Sequence, residues 1–451
     1  MIRSALSLLL LTSSLTFARE TDDNQYVLKF SVPVPEAHAH HEPNHHVPSH
    51  GHAYENIHHP PPPEVMEALR LFPTDPVNAL KYARPDAAEA LDAPRLLRVL
   101  GEDEPRWMTE GDKLRLRRGG RRFVDLTGHD FEFEGLVKGE ANLPELTHQR
   151  LVKPLFARVS TDRMRTVLEH MTGYYNRLYN DVHGEMSAEW LHGEVARIIK
   201  ISPFGSHISL EYFTHAFRQP SIIARFEPPV RNFSLPLTIL GAHQDSANYL
   251  FPLLPAPGAD DDCSGTVSIL EAFRVLAEAG FRPKDGPVEF HWYAAEEAGL
   301  LGSLAIAQYK RASGQRIGAM LEFDMTAYVA RNATESIAMV STQADEALTN
   351  WTVALGKEYL SVPIDVYELG PNAGSDYMSY TMYKYPSAFA TEGDPMNGGF
   401  PGDMDPYVHT AMDRMDVDDD RGYFSLDHMA RFTELAIAYT VEQAGWDNRW
   451  R

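Results

Sequence analysis

From about residue 150 onward, short apolar runs alternate with stretches of helical period, and the runs stop at charged or imidazole side chains. The runs are "SIIARFE", "LPLTILGAH", "GPVEFHWYAAEE" and "IGAMLEFDMT", each suited to a buried strand. Helical spacing marks "STDRMRTVLEHMTGYYNRLYN", "MSAEWLHGEVARIIK", residues 264–280, 299–312 and 343–358, and the amphipathic "SLDHMARFTELAIAYTVEQAGW". Strands alternating with helices predict an α/β domain with a mainly parallel sheet and helices on both faces. Such sheets hold their ligands at the carboxyl ends of the strands. The polar residues that end the runs are therefore expected to converge on one site.

Those residues are of one chemical kind. "LTILGAH" runs into His243 and then Asp245, "VEFHWYAAEE" ends in Glu296 and Glu297, and "AMLEFD" ends in Asp324. "PGADDDCSG" sets Asp260, Asp261 and Asp262 at the mouth of an apolar helix, and "DPYVHTAMD" offers His409. Three adjacent carboxylates repel one another, and burying one costs roughly several kcal/mol unless it is paired or metal-bound. Singly, each residue has a plainer reading: a structural histidine, a solvated helix start, an acidic turn. Together they suit zinc, and less specifically manganese or cobalt. Two imidazoles and three carboxylates exceed what one catalytic zinc takes, and suit two ions sharing a carboxylate, about 3.5–4 Å apart. Cys263, the one cysteine of the chain, reads as a small buried apolar side chain rather than a catalytic thiol.

The totals narrow the setting. The 451 residues carry a net charge of -22, which argues against nucleic acid or an anionic membrane as a main partner. "MIRSALSLLLLTSSLTFARE" has a short positive start, an apolar stretch and small residues spaced for cleavage, so residues 1–18 read as a secretory signal peptide. No later run is long enough for a membrane anchor. Sequons at Asn232, Asn332 and Asn350 fit a secreted glycoprotein. Residues 38–63 are a low-complexity segment of histidines and prolines that builds no core; it is compatible with weak metal binding and equally with a solvated linker. "EGDKLRLRRGGRRFVDLTGHD" carries the pairs Arg117–Arg118 and Arg121–Arg122, readable as processing sites or as surface charge.

The motifs "GAHQDS", "PGADDDCSG", "YAAEEAGLLGS", "FDMT" and "VHT" resemble, in order and spacing, the M28 family of co-catalytic zinc aminopeptidases, above all the secreted leucine aminopeptidases of fungi. The resemblance runs from about 150 to 446, and "NQYVLKF" and "EGDKLRLRRGGRRFVDLT" look like the fungal propeptide. It implies a signal peptide (1–18), a propeptide (19–150) and a di-zinc aminopeptidase domain (151–451), secreted and monomeric. It further implies that His243 and Asp324 bind one zinc, that Glu297 and His409 bind the other, and that Asp261 bridges them. The bond between Asp261 and Asp262 would be cis, Asp245 would accept the His243 imidazole N–H and orient the ring, Asp262 would support the ligands from behind, and Glu296 would be the general base. Substrates would be peptides with a free N-terminus and a large apolar first residue, with Met325, Asn372 and Val408 at the pocket.

The chain departs from the family at that pocket. Where the family often has "CGYxCSDH", this sequence has "LGPNAGSDYMSY": Gly370 and Gly374 replace both cysteines, Asn372 the tyrosine and Tyr377 the histidine. Thr391 stands beside Glu392 in place of an aromatic residue. The alternatives are a single-zinc glutaminyl cyclase-like transferase on the same fold, a carboxypeptidase of the same family, and an inert secreted metal-binding protein. The full ligand set speaks against the first, and nothing obvious supplies an arginine clamp for the second.

Overall fold

The computed structural model describes residues 60–129, 136–230, 232 and 234–447. The chain divides into two units, residues 1–48 and 49–451. The first unit lies outside the described residues, as do the expected signal peptide and the histidine run up to His59.

The second unit opens on α1 (Pro63–Leu71), α2 (Pro76–Ala83) and α3 (Ala88–Leu91). Asp75 caps α2 by accepting from the amides of Val77 and Asn78, and Pro76 occupies a first-turn position that needs no donor. A small antiparallel sheet in the order β2–β1–β3 follows: β1 (Pro94–Val99), β2 (Arg106–Thr109) and β3 (Phe123–Asp125). Between β2 and β3 runs α4 (Glu110–Arg118), opened by a capping box of Thr109 and Asp112. The buried Lys113 ammonium lies 2.6 Å from Asp125 and 3.0 Å from Glu110, so the charge that α4 buries is paired to β3. Sequence reasoning assigned this segment no fold. It is a compact α+β piece.

Helices α5 (Gln149–Phe156), α6 (Thr161–Met171) and α7 (Val182–Ile201) lead into the main sheet. Its strands are β4 (Ile208–Phe213), β5 (Ser221–Phe226), β6 (Leu237–His243), β7 (Val288–Tyr293) and β8 (Ile317–Phe323), then β10 (Ile337–Val340), β11 (Ile364–Tyr367) and β12 (Ser387–Glu392). Strand β9 (Tyr328–Ala330) pairs apart with β13 (Gly422–Phe424). The order across the main sheet is β11–β10–β12–β8–β6–β7–β5–β4. Its middle, from β12 through β8 and β6 to β7, is parallel, as is β10 with β11. Antiparallel pairing enters where β10 meets β12 and where β5 meets β7 and β4.

The remaining helices are α8 (Gly265–Glu278), α9 (Leu301–Ala312), α10 (Glu346–Tyr359), α11 (Tyr377–Met382) and α12 (Leu426–Ala444). Alternation along a strand sends neighbours to opposite faces. Leu240, Phe290 and Leu321 join Phe273 of α8 and Phe432 of α12 in one apolar cluster, while Ile239, Tyr293 and Met320 join Leu304 of α9 and Tyr380 of α11 in another. Each such side chain contributes about 1.5–3 kcal/mol on burial. The expected α/β architecture with helices on both faces is therefore present. Among the described residues no helix is long and apolar enough to cross a membrane.

Candidate metal centre

Three adjacent parallel strands deliver the first candidates at their carboxyl ends. His243 is the last residue of β6, Asp324 follows β8 directly, and Glu296 and Glu297 follow β7 after a short turn. Ala295 takes a φ of 59°, and this left-handed residue breaks the extended course ahead of the two glutamates. Met325 and His409 also sit at positive φ, 59° and 58°. Such residues cost on the order of 1–3 kcal/mol each and gather at functional sites. The aspartate run lies in the turn ahead of α8, entered through Gly258 at φ 53°, and the Asp261–Asp262 peptide bond is cis.

The five expected ligands meet. Asp261 stands between the two imidazoles, 3.0 Å from His243 Nε2 by one oxygen and 2.7 Å from His409 Nε2 by the other. Asp324 is 3.7 Å from His243 Nε2, and Glu297 is 3.7 Å from His409 Nε2. Burial opposes the Asp261 charge, yet His409 and His243 hold its carboxyl well below the usual range. His243 Nε2, Asp261 Oδ2, Asp324 Oδ1, Glu297 Oε2 and His409 Nε2 are all buried without a hydrogen-bond partner. Buried polar atoms are ordinarily satisfied. Five unsatisfied ones, of metal-ligating type and pointed together, fit a zinc site in geometry and in chemistry.

Asp262 can be drawn into a ligand group with His243 and Asp324. Its oxygens, however, already accept from the amides of His243, Gly265 and Met325, at 3.1, 2.8 and 3.1 Å. It therefore braces the strand ends. Asp245 departs in detail from its expected part. Its backbone carbonyl, at 3.1 Å, is nearer His243 Nδ1 than its carboxylate, at 3.5 Å. The carboxylate instead accepts from the amides of Glu296 and Glu297, at 3.0 and 3.3 Å, and so fixes both glutamates. Burial pushes the Glu296 carboxyl well above the usual carboxylate range, against the pull of His243 and Arg122. Cys263 is fully buried, and burial pushes its thiol up to about 12, as suits an inert core residue.

Sequence reasoning missed several residues at this centre. Asp413, buried in the loop that carries His409, accepts the amides of Asp260 and Asp261 at 2.7 and 3.1 Å. It ties Asp261 to the His409 loop. Asp413→Ala would strand two buried N–H groups, each costing about 1–3 kcal/mol. The expected result is a lower Tm together with weaker zinc retention against a chelator. Tyr249 stacks face to face on His409, with ring centroids 3.8 Å apart and planes 8° apart. Of the dibasic pairs, Arg117 and Arg122 do not stand free as processing sites would. Arg117 donates to the Glu297 backbone carbonyl, and Arg122 donates to Tyr249 Oη at 2.6 Å. The signal was the motif itself, but which arginine turns inward depends on how the α+β piece packs.

At the expected pocket, Met325 is buried and belongs with partly buried Val408 to the apolar cluster of β6 and α11, whereas Asn372 is exposed. In the altered loop, Asp376 is buried and bonded to Ser303. Asn232, Asn332 and Asn350 are all exposed.

Fold and site together define a metal-dependent enzyme built on an α/β sheet, with its ligands at the strand ends. Residues 221–434 match Peptidase family M28. "Leucine aminopeptidase 1" of Coccidioides posadasii is 37% identical over 363 residues, spanning 78% of this chain and 89% of the relative. A probable aminopeptidase of Saccharomyces cerevisiae is 36% identical, over 78% of this chain and 93% of its own. Among solved structures, the LapA aminopeptidase of Legionella pneumophila superposes with a TM-score of 0.65 at 26% identity, covering 79% of this chain and 95% of LapA. This chain belongs to peptidase family M28, and it is a zinc-dependent peptide hydrolase. Residues 151–451 are about two thirds of the chain. A match over 78% of it therefore reaches into the preceding segment.

Proposed function

We propose that the protein is a secreted aminopeptidase that uses two zinc ions and is made as a precursor. The observation that carries this reading is the set of five buried, unpartnered ligand atoms with Asp261 between two imidazoles. His243 and Asp324 would hold one zinc, Glu297 and His409 the other, and Asp261 both. When bound, such a pair brings the pKa of water to about 7 and polarises a peptide carbonyl.

The chain's own residues supply the rest. Glu296, buried and fixed through its amide by Asp245, takes the proton of the attacking water and passes it to the leaving amine. Buried carboxylates around the centre attract a substrate's α-ammonium, which selects a free N-terminus. Met325 and Val408 give the first side chain an apolar seat, consistent with relatives named leucine aminopeptidase. Residues 1–18 would be the signal peptide, and residues 19 to about 150 would restrain the enzyme until removed. The sequons would be glycosylated and the mature enzyme monomeric.

Hydrolysis of aminoacyl amides, free and N-acetylated, alongside zinc counted per chain, tests the reading. The expected result is two zinc ions per chain, cleavage of free-amine substrates only, and leucine among the best first residues. Full activity at one zinc, or equal cleavage of acetylated substrates, would overturn it.

A further inference from the structure

The segment before residue 130 enters the metal centre rather than packing beside it. Arg122 Nη1 lies 3.9 Å from Glu296 and 3.7 Å from Glu297, while it donates to Tyr249 Oη and its guanidinium sits over the Tyr249 ring. Arg117 donates to the backbone carbonyl of Glu297. The amide of Asp125, on β3, donates to the Gly299 carbonyl at 3.0 Å, two residues beyond Glu297. Leu100, Val124 and Leu126 share one buried apolar cluster with Leu300, Met325 and Met378. A Cβ built on Gly101 would fall 2.1 Å from Asn372 Oδ1, so the backbone beside Leu100 presses on the altered loop.

Arg122 and Leu100 line one cavity with Glu296, Glu297, Leu300 and Met378, so a cation and an apolar side chain share it. That pairing is what an N-terminal residue presents to an aminopeptidase: an ammonium group and, one bond away, a side chain. We infer that residues 94–127 close the site as a substrate mimic, with Arg122 in place of the α-ammonium and Leu100 in place of the first side chain. This rests on the reading of residues 19 to about 150 as a restraint, and it names the two side chains that exert it. A mimic that uses the same contacts as substrate competes with it directly, whereas a lid would only obstruct access. Arg122 therefore acts by occupancy, and Tyr249 and Glu297 face the substrate once Arg122 leaves.

The test uses the full chain, purified intact and checked by mass, with leucine p-nitroanilide as substrate and its zinc counted. Arg122→Gln, Arg122→Lys and Leu100→Ala are compared with the parent, before and after limited proteolysis in the exposed connector around Val137. Losing one partner of a desolvated charge pair changes an affinity by about tenfold or more. Intact Arg122→Gln and Leu100→Ala should therefore raise kcat/KM about tenfold or more over the intact parent, with Arg122→Lys between. After cutting, all four should converge on one rate, since neither residue belongs to the catalytic part. Convergence also excludes misfolding as the source of the difference. If intact Arg122→Gln and Leu100→Ala stay at the parent level while cutting activates all four, the mimic is wrong and the restraint lies elsewhere. If cutting fails to activate the parent, the restraint reading itself is wrong.

Discussion

Glu296→Gln is expected to keep its zinc and lose turnover, while Glu297→Gln, one residue on, loses both. The two carboxylates share a turn and a brace, for the Asp245 carboxylate accepts both of their amides. Their side chains are not equivalent. Glu297 sends an unpartnered oxygen toward His409, whereas Glu296 is not among the groups that can gather on a metal. The amide of glutamine matches the shape of glutamate but accepts no proton at neutral pH. Loss of a general base costs typically ~10²–10⁴ in rate. An interaction needed only in the transition state lowers kcat and kcat/KM together and leaves substrate affinity nearly unchanged. The measurement is zinc stoichiometry and kcat for each variant side by side. Turnover near the parent rate in a fully loaded Glu296→Gln enzyme would show that another group moves the proton.

Asp261→Asn should unload both ends of the centre at once. Its two oxygens face different imidazoles, at 3.0 and 2.7 Å, so a single change touches both candidate ligand groups. Asparagine offers one acceptor oxygen where aspartate offers two, and it carries no charge. Even residues behind the ligands change metal affinity by about 10–100-fold when altered. The shared ligand should exceed that range, and activity should fall with it. His409→Ala, by contrast, removes a ligand from one side only and should leave the zinc held by His243 and Asp324. Competition with a chelator, following two release steps, distinguishes the cases. Two zinc ions held by Asp261→Asn at the parent's affinity would remove Asp261 from the bridging position.

The strands that carry the ligands were legible because a parallel strand buried on both faces leaves a plain record: an apolar run that stops at a polar residue. β6, β7 and β8 left that record, and so did β5, which is almost as fully buried although antiparallel to both neighbours. β4 and β11 did not, being half exposed, nor did β10, which is only four residues long, nor β12, whose buried run SAFATE is broken by serine and threonine. The candidate ligand set was legible through residue type and order. The work of Asp413 was not, because its partners lie 152 and 153 residues away and are backbone amides, which carry no residue signature. The resemblance makes Asp245 the imidazole's partner, but it does not say whether the carboxylate or the carbonyl turns toward the ring. Arg117 and Arg122 were visible only as charge. Their direction is fixed by α4 and β3, elements whose polar, arginine-rich sequence gives little periodic signal.

The placement of His243 at the end of β6 and of Asp324 directly after its neighbour β8 makes the hydrogen-bond ladder a ruler. Adjacent strands stand about 4.8 Å apart, a spacing set by the peptide group and by no side chain. The separation at which these two candidate ligands emerge is therefore inherited from the backbone, and drift within the sheet could alter it only by breaking the pairing between β6 and β8. Asp261, Glu297 and His409 come from turns and loops outside the ladder, and Asp413 hooks the segments of Asp261 and His409 to each other. On heating, the chain should thus part with its metal when the His409 loop releases, at a temperature below the melting of the sheet, and regain it on cooling with the spacing of the strand-borne ligands intact.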